Sequence, residues 1–213
     1  DYVGRSGTFV VASEDGHYSQ YDAKVQPPNR LYTNQIDASG VVSVSGGRAE
    51  SLAIVSRDSS ATGGIYWFDL GAGLDVVQFV QMPLAYAAAQ CPDDGRWVVI
   101  GGQTTFEPIF NQDVHIIDLN AGDAEVVARG DVTDEIFDLR TVAITADCRY
   151  VVFANQSLFS ETFGRLFLVD LSSGVPLLAD SIDTNEDISH VTYVDTLYLF
   201  LVSSFESEQL STY

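Results

Sequence analysis

Ile65-Tyr66-Trp67-Phe68-Asp69-Leu70, Val114-His115-Ile116-Ile117-Asp118-Leu119 and Leu166-Phe167-Leu168-Val169-Asp170-Leu171 are three versions of one phrase. Each runs into a glycine turn: Gly71-Ala72-Gly73, Asn120-Ala121-Gly122 and Ser172-Ser173-Gly174. An apolar run precedes each of them, Leu52-Ala53-Ile54-Val55, Trp97-Val98-Val99-Ile100 and Tyr150-Val151-Val152-Phe153. Two more runs of the same kind lie at Phe9-Val10-Val11-Ala12 and at Leu197-Tyr198-Leu199-Phe200-Leu201-Val202. β-Branched and aromatic residues fill these runs, and Gly, Asp, Asn and Ser bound them, which is strand chemistry with turn punctuation. Runs of four to six apolar residues are too short for buried helices, and no window carries a helical period.

The phrase recurs at roughly 50 residues, the period of a four-stranded propeller blade. The expected fold is therefore all-β, a β-propeller with about five blade repeats, over 1–40, 41–84, 85–138, 139–187 and 188–213. One unit reads as an inner strand near Thr141–Ile144, a turn Ala146-Asp147-Cys148 and a buried strand Arg149–Ala154. The loop Asn155–Gly164, the strand Arg165–Leu171 and an outer strand near Pro176–Ser181 complete it. The unit before it matches: Ala85–Gln90, a turn Cys91-Pro92-Asp93-Asp94-Gly95, Arg96–Gly101, a loop, Asp113–Leu119 and Ala124–Arg129. The first repeat fits this register poorly. Five buried strands with little chain after the last do not make six complete blades. We expect a piece of a larger propeller, the alternative being a compact five-blade closure.

The string Cys-Pro-Asp-Asp-Gly-Arg-Trp-Val-Val-Ile-Gly-Gly at 91–102, followed by Val-His-Ile-Ile-Asp-Leu-Asn-Ala-Gly at 114–122, resembles the repeats of YVTN-type and TolB-type propellers. Ala146-Asp147-Cys148-Arg149-Tyr150-Val151-Val152-Phe153 matches too, with Cys148 where that family has glycine. The resemblance spans about residues 45–203. It implies a WD-repeat-like blade and leaves activity open, because this superfamily hosts hydrolases, dehydrogenases and plain binding modules.

There are 30 acidic against 10 basic residues, a net charge of −20, and Lys24 is the only lysine. Such a chain repels phosphate backbones and anionic membrane surfaces and favours cations or partners with a basic surface. No apolar stretch approaches the ~18 residues of a membrane span, so membrane insertion is not expected. Cys91 and Cys148 fall in different repeats without metal-type spacing. The chain begins at Asp1 with no visible leader, so a leader has been removed or the chain is part of a longer one. Together these features point to an extracellular or periplasmic protein. Asn155-Gln156-Ser157 is a glycosylation sequon, with Asn155 as acceptor.

Functional residues of such scaffolds sit on loops. The long second-to-third-strand loops carry Phe106, Glu107 and Phe110, then Phe159, Glu161 and Phe163. Acidic connections at Asp131, Asp134, Glu135 and Asp138 share that face. Phenylalanines ringed by carboxylates suit docking of a protein with a basic or amphipathic surface. The expected function is a non-catalytic binding or scaffold module acting through this acidic, Phe-bearing face. The alternative is a metal-dependent, lactonase- or esterase-like hydrolase with its site at the central channel. Its metal ligands would be His190 with the loop carboxylates Asp183, Glu186 and Asp187; no cofactor is otherwise expected, calcium at those three carboxylates being the alternative. No catalytic residues are assigned, since no G-x-S-x-G elbow, Walker A, H-E-x-x-H or dinucleotide fingerprint occurs. His115 aligns with Tyr66 and Phe167, the position of a packed residue between blades. The repeated Asp69, Asp118 and Asp170 are expected to cap the turns that follow them.

Overall fold

The computed structural model describes residues 2–3, 7–47, 51–58, 60–69, 75–82, 84–101, 113–118, 125–131, 138–156, 164–184, 188–204 and 210–212. These residues hold strands and turns and no helix. The chain is all-β and forms five consecutive antiparallel sheets in a β-propeller arrangement. Blade 1 holds β1 (Tyr2–Val3), β2 (Thr8–Ala12), β3 (His17–Asp22) and β4 (Asn29–Gln35). Blade 2 holds β5 (Val41–Gly46), β6 (Ser51–Ser56), β7 (Gly64–Asp69) and β8 (Val76–Gln81). Blade 3 holds β9 (Ala85–Gln90), β10 (Trp97–Gly101), β11 (Asp113–Asp118) and β12 (Glu125–Asp131). Blade 4 holds β13 (Asp138–Ile144), β14 (Tyr150–Gln156), β15 (Arg165–Asp170) and β16 (Leu177–Asp183). Among the described residues blade 5 holds β17 (Ile188–Val194), β18 (Leu199–Ser204) and β19 (Leu210–Thr212).

The apolar runs are the second strands of the blades, and their lack of alternation has a direct cause. A second strand lies between two neighbouring blades, so both of its faces are covered. Every residue of β6 and β10 is buried. Successive side chains then serve opposite interfaces. Leu52 and Ile54 join Val10, Tyr18 and Ile36 between blades 1 and 2. Ala53 and Val55 join Ala88, Trp97 and Val99 between blades 2 and 3. Val98 and Ile100 meet Val151, Phe153 and Phe167 between blades 3 and 4. Val152 and Ala154 meet Ile188, Val191 and Val202 between blades 4 and 5. Among the described residues no apolar cluster of this kind joins blade 5 to blade 1. Outer strands behave oppositely: all seven residues of β16 are exposed.

His115 is fully buried within β11, as expected of a packed residue between blades. Asp170 accepts the Ser172 N–H at 2.8 Å, so it caps its turn. Asp22 does the same for Lys24 at 2.8 Å, which makes His17–Asp22 the blade 1 counterpart of the repeated phrase. The fifth apolar run differs from its reading as one continuous strand. Residues 195–198 form the turn after β17, with Tyr198 at φ 53° and 81% exposed, and β18 starts only at Leu199. A tight turn placed two apolar residues in solvent, and their hydropathy extended the run past its true end.

Candidate functional site

Connections leave the propeller on two faces. Among the described residues the upper face carries the second-to-third-strand connection 13–16 and the inter-blade link 36–40, and the lower face carries the first-to-second-strand turns 91–96, 145–149 and 195–198 and the third-to-fourth-strand turns 23–28 and 171–176. Gly16 shows how closely the upper face is built. It adopts φ +84°, and a Cβ there would lie 2.6 Å from the Ala38 carbonyl oxygen and 2.7 Å from that of Ile36. Only glycine suits both the positive φ and that approach. Beside it, Asp58 accepts Ser39 Oγ at 2.6 Å and the Ser60 N–H at 2.8 Å. These bonds, the Ser39 hydroxyl first, lower its pKa to about 2.

Phe106, Glu107, Phe110, Phe159, Glu161 and Phe163 lie outside the described residues, as do Glu186 and Asp187. Asp183 ends β16, the outermost strand of blade 4, and is ion-paired with Arg165. His190 lies on β17, the innermost strand of blade 5. The two described members of the proposed ligand set thus occupy opposite radial ends of adjacent blades. Asn155 lies in β14, its backbone in register with Leu139 and Arg165.

The first strands β5, β9, β13 and β17, together with β2, surround a central channel of about 840 Å³ at its larger end. Small residues such as Gly46, Gly47, Ala88, Ala89 and Ala143 line it. His190 Nδ1 comes within 3.4 Å of Thr141 Oγ1, which also accepts the Val191 N–H at 3.1 Å. Asp195, at the other end of the same wall, is five residues along; at ~3.3 Å per residue it stands about 16 Å away, far beyond hydrogen-bond reach. His190 stays exposed to the channel, and the partial loss of water around its imidazole lowers its pKa from 6.5. The unfolded chain therefore takes up this proton near 6.5 and the folded chain only at lower pH. Stability contributed by neutral His190 is complete above that window and falls as the pH drops through it. Between pH 7.5 and 5.5 the protein should lose more stability than His190→Gln, measured by denaturant unfolding at each pH.

The lower face holds a feature that residue spacing left open. Cys91 and Cys148 form a disulfide, with Cα atoms 5.3 Å apart, that staples blade 3 to blade 4. Cys91 opens the turn after β9, and Cys148 sits in the equivalent turn after β13. Cys148 takes φ 59°, the left-handed position that Gly95 occupies in blade 3 at φ 78°. In each turn an aspartate accepts the next arginine N–H, Asp94 from Arg96 at 3.0 Å and Asp147 from Arg149 at 3.1 Å. The signal was available in the repeat register itself, which places both cysteines in matching turns of adjacent blades. Cys91, Asp94 and Cys148 are also the one group of potential metal ligands in mutual reach among the described residues, and the disulfide occupies both sulfurs.

No family model and no curated protein matches this chain. Solved structures do. The chain is similar to a chain of Kuenenia stuttgartiensis hydrazine synthase, with TM-score 0.77 at 14% identity, over 97% of this chain and 68% of that one. It is similar to the β-propeller domain of Myceliophteria thermophila Cps50 (Swd1), with TM-score 0.68 at 12% identity, over 97% of this chain and 61% of that one. It is also similar to a chain of the mitotic checkpoint complex, with TM-score 0.71 at 15% identity, over 97% of this chain and 58% of that one. The chain thus spans about three fifths of the latter two. Likenesses at these identities establish the fold alone, a β-propeller.

Proposed function

We propose that the protein is a non-catalytic binding or scaffold propeller of an extracytoplasmic assembly, with repeats of the YVTN/TolB type. The observation that carries this reading is the disulfide between blades 3 and 4. A bond of this kind persists in oxidising compartments, which supports an extracellular or periplasmic location. It also stiffens the lower face, and a rigid scaffold is what displayed loops require. The partner is a protein with a basic or amphipathic surface, a choice supported by the net charge of −20. The similar chain in the mitotic checkpoint complex belongs to a multi-protein assembly, which supports the scaffold reading. Contact runs through the segments after β10 and β14, where Phe106 and Phe159 are the anchors. Phe106→Ala and Phe159→Ala should leave the melting temperature within about 2 °C, as for loop positions outside a core. Each should reduce capture of the native partner from the source organism by about tenfold, as for loss of an interface anchor. Unfolding of both variants would instead make these rings part of the core and remove the site.

A further inference from the structure

The disulfide crosses between two turns whose backbones have supports of their own. In blade 3 the Cys91 N–H donates to the Arg96 carbonyl at 2.8 Å, and the Gly95 N–H donates to the Cys91 carbonyl at 3.1 Å. In blade 4 the Thr145 N–H donates to the Tyr150 carbonyl at 2.9 Å, and the Cys148 N–H donates to the Thr145 carbonyl at 2.9 Å. Both cysteines also belong to the apolar cluster that joins these two blades. Opening the bond therefore leaves two thiols facing each other across backbones whose Cα atoms stand 5.3 Å apart.

A third donor stands with them. An Asp94 carboxylate oxygen and the two sulfurs all lie within 4.8 Å of one another. Arg96 orients that carboxylate through its backbone N–H, 3.0 Å from Oδ1, and through its Nε, 2.6 Å from Oδ2. Partial burial pushes the Asp94 carboxyl up, but these bonds outweigh it and hold its pKa below the ordinary value, so the group is ionised at neutral pH. The Asp93 N–H donates to Cys148 Sγ at 3.5 Å, a contact that strengthens when the acceptor is a thiolate. Hydrogen bonds of this outer kind orient metal ligands. Cys91 is buried, Cys148 half-buried and Asp94 exposed, so the trio opens to solvent on one side. A tetrahedral zinc ion with Zn–S bonds of about 2.3 Å spaces its sulfurs by about 3.7 Å, within the span these groups already keep.

We propose that the crossing between blades 3 and 4, once its disulfide is reduced, binds a zinc-class divalent cation through Cys91 Sγ, Cys148 Sγ and an Asp94 carboxylate oxygen. Two thiolates select a borderline or soft ion over calcium or magnesium. Three protein donors leave a fourth position, on the solvent side, for water. A dithiol reductant supplies the two electrons. Its thiolate attacks Cys148 Sγ, the more accessible sulfur, and Cys91 leaves as a thiolate. The second thiol of the reductant then attacks the mixed disulfide, releases Cys148 and departs as a disulfide. The cation displaces whatever protons the two cysteine thiols carry, forming two metal–sulfur bonds and one metal–oxygen bond. Blades 3 and 4 are thus clamped in both redox states, by a covalent bond in one and by an ion in the other. No loop phenylalanine takes part, so the site stands apart from the binding-module reading.

The test reduces the intact protein with a phosphine (itself converted to its oxide) and removes the reagent without oxygen. The reduced protein is then titrated with zinc, followed by dialysis and metal analysis, and with cobalt(II), followed by absorbance. One ion per reduced chain is expected, with a sulfur-to-cobalt charge-transfer band that the oxidised protein lacks. Zinc at about 100 times its Kd should raise the melting temperature of the reduced protein by about 5–10 °C. Asp94→Asn keeps an acceptor for the Arg96 N–H, so its oxidised form should melt within about 2 °C of the parent. Reduced Asp94→Asn should bind zinc at least about tenfold more weakly. Cys91→Ser with Cys148→Ser should lose the charge-transfer band altogether. Equal zinc uptake by oxidised and reduced protein, cobalt binding without the band, unchanged affinity in Asp94→Asn, or no saturable binding would each overturn the site.

Discussion

Replacing Cys91 and Cys148 by serine together, or reducing their bond, should lower stability by about 4 kcal/mol. The bond closes a loop of sequence separation 57, and cross-linking a loop of that length removes denatured-state entropy on the order of 4 kcal/mol in the chain-entropy account. For a chain of 213 residues each kcal/mol moves the melting temperature by about 2–4 °C, so a fall of about 8–16 °C is expected in scanning calorimetry with and without reductant. Cys148 carries a second term. A non-glycine residue at φ 59° is strained by ~1–2 kcal/mol, so Cys91→Ser with Cys148→Gly should recover part of the loss. A fall below about 3 °C would mean that the apolar interface alone holds blades 3 and 4 in place.

Phe153→Ala should cost about 3–5 kcal/mol, the range for truncating a fully buried aromatic. Phe153 is 0% exposed and lies directly across the strand pair from Phe167, with which it stacks at 4.9 Å and 15°. Its face of β14 points into the cluster shared with Val98, Ile100 and Val114 of blade 3. Phe153→Leu keeps most of the volume and should cost less, about 1.5 kcal/mol. Denaturant unfolding gives both values. Because this ring and the disulfide act on the same interface, their losses should not add. The triple replacement should depart from the sum of the separate changes by more than the ~0.5 kcal/mol seen for independent sites.

The strands were legible because burial in a propeller is written locally. Trp97-Val98-Val99-Ile100 reads as a strand covered on both faces, and β10 is that strand. The Asp-Leu ends of the repeated phrase read as turn caps because one aspartate oxygen two residues before an N–H suffices, as at Asp170. What was hidden required three dimensions. Cys91 and Cys148 are remote in sequence and meet only because equivalent turns of adjacent blades share a face. Leu197 and Tyr198 have the hydropathy of strand residues, yet the turn exposes them, and nothing in their side chains records that. In blade 1, Asp22 follows Tyr21 and Gln20 instead of an aliphatic run, so its kinship with Asp69 was disguised by polar neighbours.

The four clusters between successive blades make the protein thermodynamically a row, in which each unit is held by those on either side of it. Blades 2, 3 and 4 have both flanks engaged, whereas blades 1 and 5 each have one among the described residues. Loss of packing at any one of these four interfaces therefore uncouples the two blades it joins and leaves the other three clusters in place.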